Sequence, residues 1–193
     1  MRPSPRIQRG LDAASETRTI PAIGPDGQRF PIEKMEAHRR GLLHDAISVF
    51  IFDGDELLLQ RRAAGKYHCG GQWANACCTH PDWGEDAAAS ARRRLSEELG
   101  VDIALTEVGT TTYRADVGGG LIEHERVRVF RGDADRTTLE FDLNPDEVAA
   151  VRWVGLEALR KEALVAPETL TPWLRIYLKR WDQLGLGAEA PNS

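Results

Sequence analysis

Residues 70–100 bring together several side chains that can take part in chemistry. Cys77, Cys78 and His80 follow a glycine-containing turn, and Glu98 lies near the end of a predicted helix. A thiol, an imidazole and a carboxylate can each donate or accept a proton, and a thiolate is also a soft nucleophile. We therefore predict that one cysteine of the pair is a catalytic thiol and that the other is a small buried hydrophobic residue.

A second group of candidate residues lies on the strand predicted over Leu121–Phe130. The two-residue period of a strand puts Glu123 and Glu125 on the face that also carries the aliphatic residues, which indicates that this face points inward. Buried carboxylates are unfavourable unless a cation compensates them, and a metal ion would do so. The alternative is a twisted edge strand with both glutamates in water, and the spacing alone leaves the two interpretations equally supported.

Histidines offer further metal ligands. His38 and His44, together with His80, Glu123 and Glu125, could form a mixed nitrogen and oxygen site of the kind that suits manganese, iron or zinc. Spacing alone supports this site weakly, because a single histidine is more often a surface or core residue than a ligand.

A structural zinc site is a less favoured alternative. Its ligands would be Cys69, Cys77, Cys78 and His80, but the sequence contains no Cys-x-x-Cys motif. Neighbouring residues of an extended strand point to opposite sides, so Cys77 and Cys78 cannot both face one ion.

Composition limits the class of protein. The chain has 193 residues, a net charge of −5, 41% hydrophobic residues and 28% charged residues, as expected for one globular domain. The acidic balance argues against a nucleic-acid surface, and no apolar run approaches the length of a membrane span. The N-terminus lacks the apolar core of a secretory signal, and three cysteines form a poor disulfide framework. We expect a cytoplasmic protein that binds neither nucleic acid nor membrane.

The local patterns predict the order of elements. Residues 1–20 resemble a disordered extension, residues 21–184 form the domain, and residues 185–193 form a loose tail. After a short hairpin around residues 24–31, strands are predicted at 44–52, 56–60, 110–114, 121–130 and 148–154, and helices at 32–40, 85–99, 156–162 and 171–184. This order predicts an α/β fold, a mixed sheet with helices packed on its faces.

The end of the helix resembles a known motif. The run from Arg93 to Val101, RRLSEELGV, is similar to the second half of the Nudix box, and Glu85 falls at the upstream glutamate of that box. Thr79 replaces the opening glycine, and Arg94 replaces a glutamate that Nudix diphosphohydrolases normally need as a metal ligand. The second replacement argues against hydrolysis.

Over about residues 20–182 the chain resembles the type I isopentenyl-diphosphate Δ-isomerases of the Nudix superfamily. The resemblance rests on the Nudix helix and on the segments EKMEAHRRGLLHDAISVF, LLLQRRAAGKYHCGGQWANACCTHP, TTYRA, LIEHE and TPWLRIYL. It implies a Nudix-type α/β/α sandwich and an isomerase of isoprenoid biosynthesis. Such an enzyme interconverts isopentenyl and dimethylallyl diphosphate by metal-dependent protonation and deprotonation through a carbocation.

The resemblance also implies roles for individual residues. Cys78 and Glu125 correspond to the two catalytic groups, Tyr113 would assist Glu125, and Trp173 would form part of the pocket wall. One divalent metal, Mn²⁺ or Zn²⁺, would have as its ligands His38, His44, His80, Glu123 and Glu125. Glu98 would help to hold a Mg²⁺ that bridges the substrate diphosphate, and the diphosphate itself would contact Lys34, Arg62, Lys66 and Arg94. His38 and His44 lie one residue closer together than in some members.

The chemistry of the reaction agrees with these roles. Moving the double bond requires one proton added to the terminal methylene and another removed from the allylic carbon, so two acid/base groups must flank the alkene. An indole face stabilises the tertiary cation without offering a lone pair, and Trp73 and Trp173 would also exclude water. The metal beside Glu125 would tune the proton affinity of that carboxylate.

Two other function classes are weighed against this one. A Nudix diphosphohydrolase of a nucleoside diphosphate derivative is disfavoured by Arg94 and by the thiol at Cys78. A non-catalytic Nudix-like binding module would be expected to lack the thiol or the carboxylate, and both positions are filled. We expect a monomer that acts on a small diphosphate.

Overall fold

The computed structural model describes residues 18–187. Its strands are β1 (Thr19–Ile23), β2 (Arg29–Glu33), β3 (His44–Asp53), β4 (Glu56–Arg62), β5 (Trp73–Asn75), β6 (Cys77–Thr79), β7 (Thr106–Gly118), β8 (Leu121–Asp133) and β9 (Val148–Gly155). Its helices are α1 (Lys34–Arg40), α2 (Ala87–Leu99), α3 (Leu156–Val165) and α4 (Pro172–Lys179), with short 3₁₀ turns at Pro167–Thr169 and Trp181–Gln183. Most of the predicted extension and residues 188–193 of the predicted tail lie outside the described residues.

Strand β3 lies at the centre of a mixed sheet. It pairs antiparallel with β1, β4 and β6, and parallel with β8. Strand β8 continues into the antiparallel partner β7, so it is an interior strand and not the edge strand that was left open as an alternative. The register places His44 beside Glu125 and Ser48 beside Cys78, which brings two of the predicted site segments onto neighbouring strands.

Alternation along β3 divides the core into two layers. Ile47, Val49 and Ile51 face α2, where they pack in one buried cluster with Leu95 and Leu99. The intervening apolar residues pack with the buried side chains of α4 in a second cluster, whose members from these elements are Ala46, Phe50, Phe52, Trp173, Leu174, Tyr177 and Leu178. The predicted α/β/α sandwich with a mixed sheet is therefore confirmed.

The helix boundaries follow capping residues. Asp86 accepts hydrogen bonds from the amides of Ala88 and Ala89, so α2 begins two residues after the predicted start. Gly100 ends the helix at a φ of 71°, and a Cβ there would lie 2.6 Å from the Cβ of Asp142, so no other residue fits without rearrangement. This cap places Glu98 next to the cleft described below.

The C-terminal segment departs from the prediction. Helix α4 ends at Lys179 and not near Leu184, and the chain continues through a 3₁₀ turn. Leu186 is buried, and its carbonyl accepts a hydrogen bond from Arg131 at 2.6 Å, so the chain still packs against the domain at this residue. In the described part of the chain, no helix has the length and apolar character needed to cross a membrane.

Candidate active site

A cleft is lined by side chains from the sheet and from the helices on both of the sheet's faces. Strands β6 and β8, helices α2 and α4, and the loop between β4 and β5 all contribute to its wall. Its lining residues are Arg18, Lys34, Arg62, Lys66, Tyr67, His68, Cys78, Thr79, His80, Arg94, Glu98, Tyr113, Glu123, Glu125, Glu147 and Trp173. All of the residues to which the resemblance assigns a catalytic, substrate-binding or metal-binding role are among them, except His38 and His44.

Those two histidines lie directly behind the cleft, in a buried group with His80 and Glu125. The Nε2 atoms of His44 and His80 are 3.1 Å apart, and Nε2 of His80 is 2.8 Å from Oε1 of Glu125. The rings of His38 and His44 lie 4.9 Å apart, so their shorter spacing in the sequence still lets them converge. One potential ligand atom from each of the four residues lies within 4.8 Å of all the others.

The donor set of this group fits a divalent metal. Nδ1 of His38 and Nδ1 of His44 each lie 2.7 Å from a backbone carbonyl, of Lys34 and Leu42 respectively, so each ring donates from Nδ1 and presents Nε2 without a proton. Nε2 of His38 is buried and has no hydrogen-bond partner in the described part of the chain. Burial and then the neighbouring His44 lower the pKa of His38 to about 4, which keeps the ring neutral, as a metal ligand must be.

Tyr113 connects the two carboxylates. Its hydroxyl lies 2.6 Å from Oε2 of Glu125 and 3.0 Å from Oε2 of Glu123. Burial and then the charge of Glu125 raise the pKa of Glu123 well above its usual range. Burial opposes ionisation of Glu125 too, but its contacts with His44 and His80 outweigh the effect of burial and lower the pKa of Glu125 well below its usual range. Because one phenolic proton serves one acceptor, Tyr113 donates to ionised Glu125 and accepts from protonated Glu123 in the metal-free protein.

Cys78 presents its sulfur to the same side of the sheet. Its thiol donates to Oδ1 of Asn75 at 2.9 Å and lies 3.3 Å from the hydroxyl of Ser48, which in turn is 2.7 Å from the hydroxyl of Tyr177. The amide of Asn75 is fixed because its nitrogen donates to two backbone carbonyls. Burial is the main reason that the pKa of Cys78 lies far above its ordinary value, so the sulfur keeps its proton at neutral pH.

Cys77 points to the opposite side of the sheet, into the cluster under α2, where it is fully buried. Burial raises the pKa of its thiol well above the usual value. The two cysteines therefore divide as the sequence predicts, one facing the cleft and one in the core. Among the described residues all three cysteines are free, and the possible metal-ligand groups contain no cysteine.

The opposite end of the cleft is lined by cations held by carboxylates. Arg94 donates to Glu98 at 2.7 Å and lies 3.2 Å from Glu147, while Lys66 donates to Glu147 at 2.6 Å. Arg62 donates to the backbone carbonyl of His68. Three cations, Arg62, Lys66 and Arg94, therefore lie beside two carboxylates, those of Glu98 and Glu147.

Lys34 is a further cation at this end of the cleft. Burial and then the charges of Arg94, Arg62 and Arg18 lower the pKa of Lys34 from 10.5 to about 8. A lysine that is kept among like charges gains a favourable partner when an anion enters. The positive end of the cleft is thus suited to a small polyanion such as a diphosphate.

Two tryptophans of the predicted site have different positions. Trp173 is 2% exposed and forms the cleft wall, with the Arg62 guanidinium 5.2 Å from its ring centroid. Trp73 does not line the cleft: its ring stacks against Arg152, and its strand pairs with Leu170. The expectation that Trp73 excludes water from the site is therefore wrong, because the first residue of β5 points away from the cleft.

Several residues that line the cleft were not found from the sequence, namely Arg18, Tyr67, His68 and Glu147, and neither were the two partners of Cys78, Ser48 and Asn75. Arg18 belongs to the predicted extension but is tied to Asp82 by two hydrogen bonds of 2.7 Å. Glu147 lies in the turn before β9. Nothing in that part of the sequence indicates a partner for Lys66 and Arg94. The upstream glutamate of the Nudix-like motif, Glu85, is held by Arg93 at 2.7 and 2.8 Å and lies outside the cleft lining.

The chain is similar to proteins of known family. Residues 42–174 match the NUDIX domain. A curated relative from Cereibacter sphaeroides, named isopentenyl-diphosphate Delta-isomerase, is 54% identical over 163 residues, covering 84% of this chain and 91% of the relative. A relative of the same name from Jannaschia is 54% identical over 157 residues, covering 81% of this chain and 89% of the relative.

Solved structures agree on the fold. DR0079 from Deinococcus radiodurans superposes with a TM-score of 0.68 at 15% identity, covering 84% of this chain and 98% of that one. RenU, a Nudix hydrolase from M. smegmatis, superposes with a TM-score of 0.56 at 22% identity, covering 90% and 98%. At these identities the similarity extends to the fold alone.

Proposed function

Because this chain belongs to the Nudix family and, within it, to the isopentenyl-diphosphate Delta-isomerases, we propose that its cleft interconverts isopentenyl and dimethylallyl diphosphate through Cys78 and Glu125. The observation that carries this proposal is one cleft with a protonated thiol, an ionised carboxylate and a cluster of cations. The reaction is an intramolecular transposition of a carbon–carbon double bond, so no external oxidant or reductant is needed.

The two proton-transfer groups come from different strands. Cys78 lies opposite Ser48 of β3, and Glu125 lies opposite His44, four residues earlier on the same strand. Both side chains line the cleft, so a small alkene can lie between them. In each direction one group protonates a terminal carbon of the allylic system and the other removes a proton from its far end. Because the reaction is reversible, each group acts as an acid in one direction and as a base in the other.

The surrounding residues support the intermediate. The buried indole of Trp173 offers a π-face to the tertiary cation and no lone pair to capture it. Tyr113, hydrogen-bonded to both carboxylates, holds the carboxylate of Glu125 in one orientation. The diphosphate binds to Lys34, Arg62, Lys66 and Arg94, and it replaces Glu147 as the partner of Lys66 and Arg94.

The metal ligands that we propose are His38, His44, His80, Glu123 and Glu125, for one Mn²⁺ or Zn²⁺ ion, which when bound lowers the proton affinity of Glu125. Glu98, held by Arg94 and by Gln60 at 2.9 Å, is positioned to help bind a Mg²⁺ that accompanies the diphosphate. The proposal is supported by the convergence of four of these five residues, because one potential ligand atom from each lies within 4.8 Å of the others.

We further propose a monomeric cytoplasmic enzyme of isoprenoid biosynthesis that acts on a small diphosphate and binds neither nucleic acid nor membrane. The free cysteines fit a reducing compartment, and the net charge of −5 disfavours a phosphate-backbone partner.

Hydrolysis of a nucleoside diphosphate derivative is the less supported alternative. Arg94 takes the position of a metal-binding glutamate, and its guanidinium donates to Glu97 and Glu98. The carboxylate of Glu85 accepts a hydrogen bond from Arg93. The hydrolytic motif requires a free carboxylate at both positions, and neither position offers one.

The test is a substrate panel with the purified protein in Mg²⁺ and Mn²⁺. Isopentenyl diphosphate and a set of nucleoside diphosphate derivatives are incubated separately and followed by ³¹P and ¹H NMR. We expect dimethylallyl diphosphate to form with no release of phosphate. Unchanged isopentenyl diphosphate together with cleavage of a nucleoside derivative would transfer the assignment to the hydrolase.

A further inference from the structure

One buried histidine has no role in the function proposed above. His68 lies in the loop between β4 and β5 and is 7% exposed. Its ring packs edge-on against Tyr67, at a centroid distance of 4.3 Å, and against Trp173, at 5.7 Å. The backbone of the same residue is held by Arg62, whose guanidinium donates to the carbonyl at 3.2 and 3.4 Å. Both the backbone and the ring are thus fixed in place beside the cleft.

Both ring nitrogens of His68 lack a hydrogen-bond partner in the part of the chain that the structure describes. Nε2 approaches Oε1 of Glu123 to 3.3 Å without forming a hydrogen bond. A buried polar group without a partner is destabilising. Such a group in a well-packed site indicates that its partner is a bound species.

The surroundings of His68 identify the class of that species. His38, His68 and Glu123 each offer one ligand atom, and the three atoms lie within 4.8 Å of one another. Two ligands at about 2.1 Å from one ion are about 3.0–3.4 Å apart at octahedral and tetrahedral angles. The 3.3 Å between His68 and Glu123 falls in this range. Nε2 of His38 is also buried and unpartnered among the described residues.

We propose that His68 is a metal ligand and that, with His38 and Glu123, it forms a second position for a divalent ion beside the group of His38, His44, His80 and Glu125. Two imidazoles and one carboxylate suit the same borderline ions, Mn²⁺ or Zn²⁺. The two positions share Glu123 and His38, and Nδ1 of His38 is engaged by the carbonyl of Lys34, so its single free nitrogen binds one ion at a time. The site therefore holds one ion that occupies the two positions alternately. This inference rests on the metal centre of the proposed function, and it extends the ligand set by one residue.

The test uses the metal alone and the wild-type protein. The chain is labelled with ¹⁵N-histidine and loaded with ¹¹³Cd²⁺, a diamagnetic substitute whose nuclear spin couples to directly bonded nitrogen. We expect ¹¹³Cd–¹⁵N coupling on four imidazoles, those of His38, His44, His68 and His80. His124 is the internal control, because its Nδ1 lies 3.1 Å from the carbonyl of Gly41 on the other face of β8. A His68 resonance without coupling would overturn the proposal.

Two variants assign the histidine resonances and measure the affinity of the protein for Mn²⁺. His68→Gln removes one set of resonances and is expected to weaken Mn²⁺ binding at least about tenfold in a chelator competition, whereas the matched variant His124→Gln leaves it unchanged. An unchanged affinity in a folded His68→Gln protein would also contradict the proposal, and if the variant does not fold, the wild-type spectrum decides. Since no substrate is present, failure of the isomerase assay cannot be mistaken for failure of this inference.

Discussion

Replacing Tyr113 by Phe removes the hydroxyl that links the two buried carboxylates and keeps the aromatic ring. The hydroxyl is 2.6 Å from Glu125 and 3.0 Å from Glu123, and the residue is 4% exposed. The phenylalanine ring fills the same volume in the core, so the effect is electrostatic and not a loss of packing.

The size of the effect follows from the two contacts. A hydrogen bond to an ionised group contributes about 1.5–3 kcal/mol, and one between neutral groups about 0.5–1.5 kcal/mol. Tyr113 makes the first kind to Glu125 and the second kind to protonated Glu123. We therefore expect Tyr113→Phe to lower the free energy of unfolding by about 2–4 kcal/mol in the metal-free protein at pH 7.

The assay is urea unfolding of both proteins in the presence of a chelator and again with saturating Mn²⁺. The difference between the proteins should shrink with the metal, because the ion then stabilises both carboxylates. Tyr177→Phe is the matched control, since its hydroxyl bonds to the neutral hydroxyl of Ser48 at 2.7 Å and its loss should be worth about 1 kcal/mol. A loss for Tyr113→Phe no larger than that of the control would refute the reasoning about the carboxylate pair.

Three further predictions concern single residues. Because the pKa of Lys34 is lowered to about 8, kcat/KM for isopentenyl diphosphate should fall above pH 8 as the ammonium loses its proton, and Lys34→Met should flatten this limb of the pH profile. The pKa of His38 is about 4 in the folded metal-free protein and near 6.5 when unfolded, so the unfolded chain binds more protons and stability rises with pH across this window. Acidification from pH 6.5 to 4 should therefore remove about 3 kcal/mol through this residue in urea unfolding, and an equally steep loss in His38→Gln would contradict the assignment. Cys77→Ala should keep its turnover while Cys78→Ala loses it, because only the second thiol faces the cleft; equal losses in a direct NMR assay would be inconsistent with this division.

The sequence predicts much of the site where local periodicity decides the outcome. The alternation along β8 places Glu123 and Glu125 inward, and both are buried. The same rule applied to the cysteine pair separates Cys77 from Cys78. These predictions depend on a period of two within one strand, which tertiary structure does not alter.

Residues that reach the cleft from separate segments could not be predicted in this way. His68 and Glu147 lie in loops without periodicity, and only the packing of the loop after β4 against the turn before β9 brings Lys66 to Glu147. The prediction for Trp73 was wrong for a different reason. An indole side chain is a good candidate for the wall of the cleft, but the register of β5 points this one toward Arg152. The sequence pattern identifies side chains on one element and does not determine which elements meet.

The most direct test of the account is proton exchange at the substrate in deuterated water. Isopentenyl diphosphate is incubated with the wild-type protein, Cys78→Ala, Glu125→Gln and the control Cys77→Ala in Mg²⁺ and Mn²⁺, and the products are followed by ¹H and ²H NMR. The proposed pair predicts deuterated dimethylallyl diphosphate from the wild type and Cys77→Ala, with neither isomerisation nor full exchange when Cys78 or Glu125 is replaced. Isomerisation at an unchanged rate in either of those two variants would contradict the assignment of the acid/base pair.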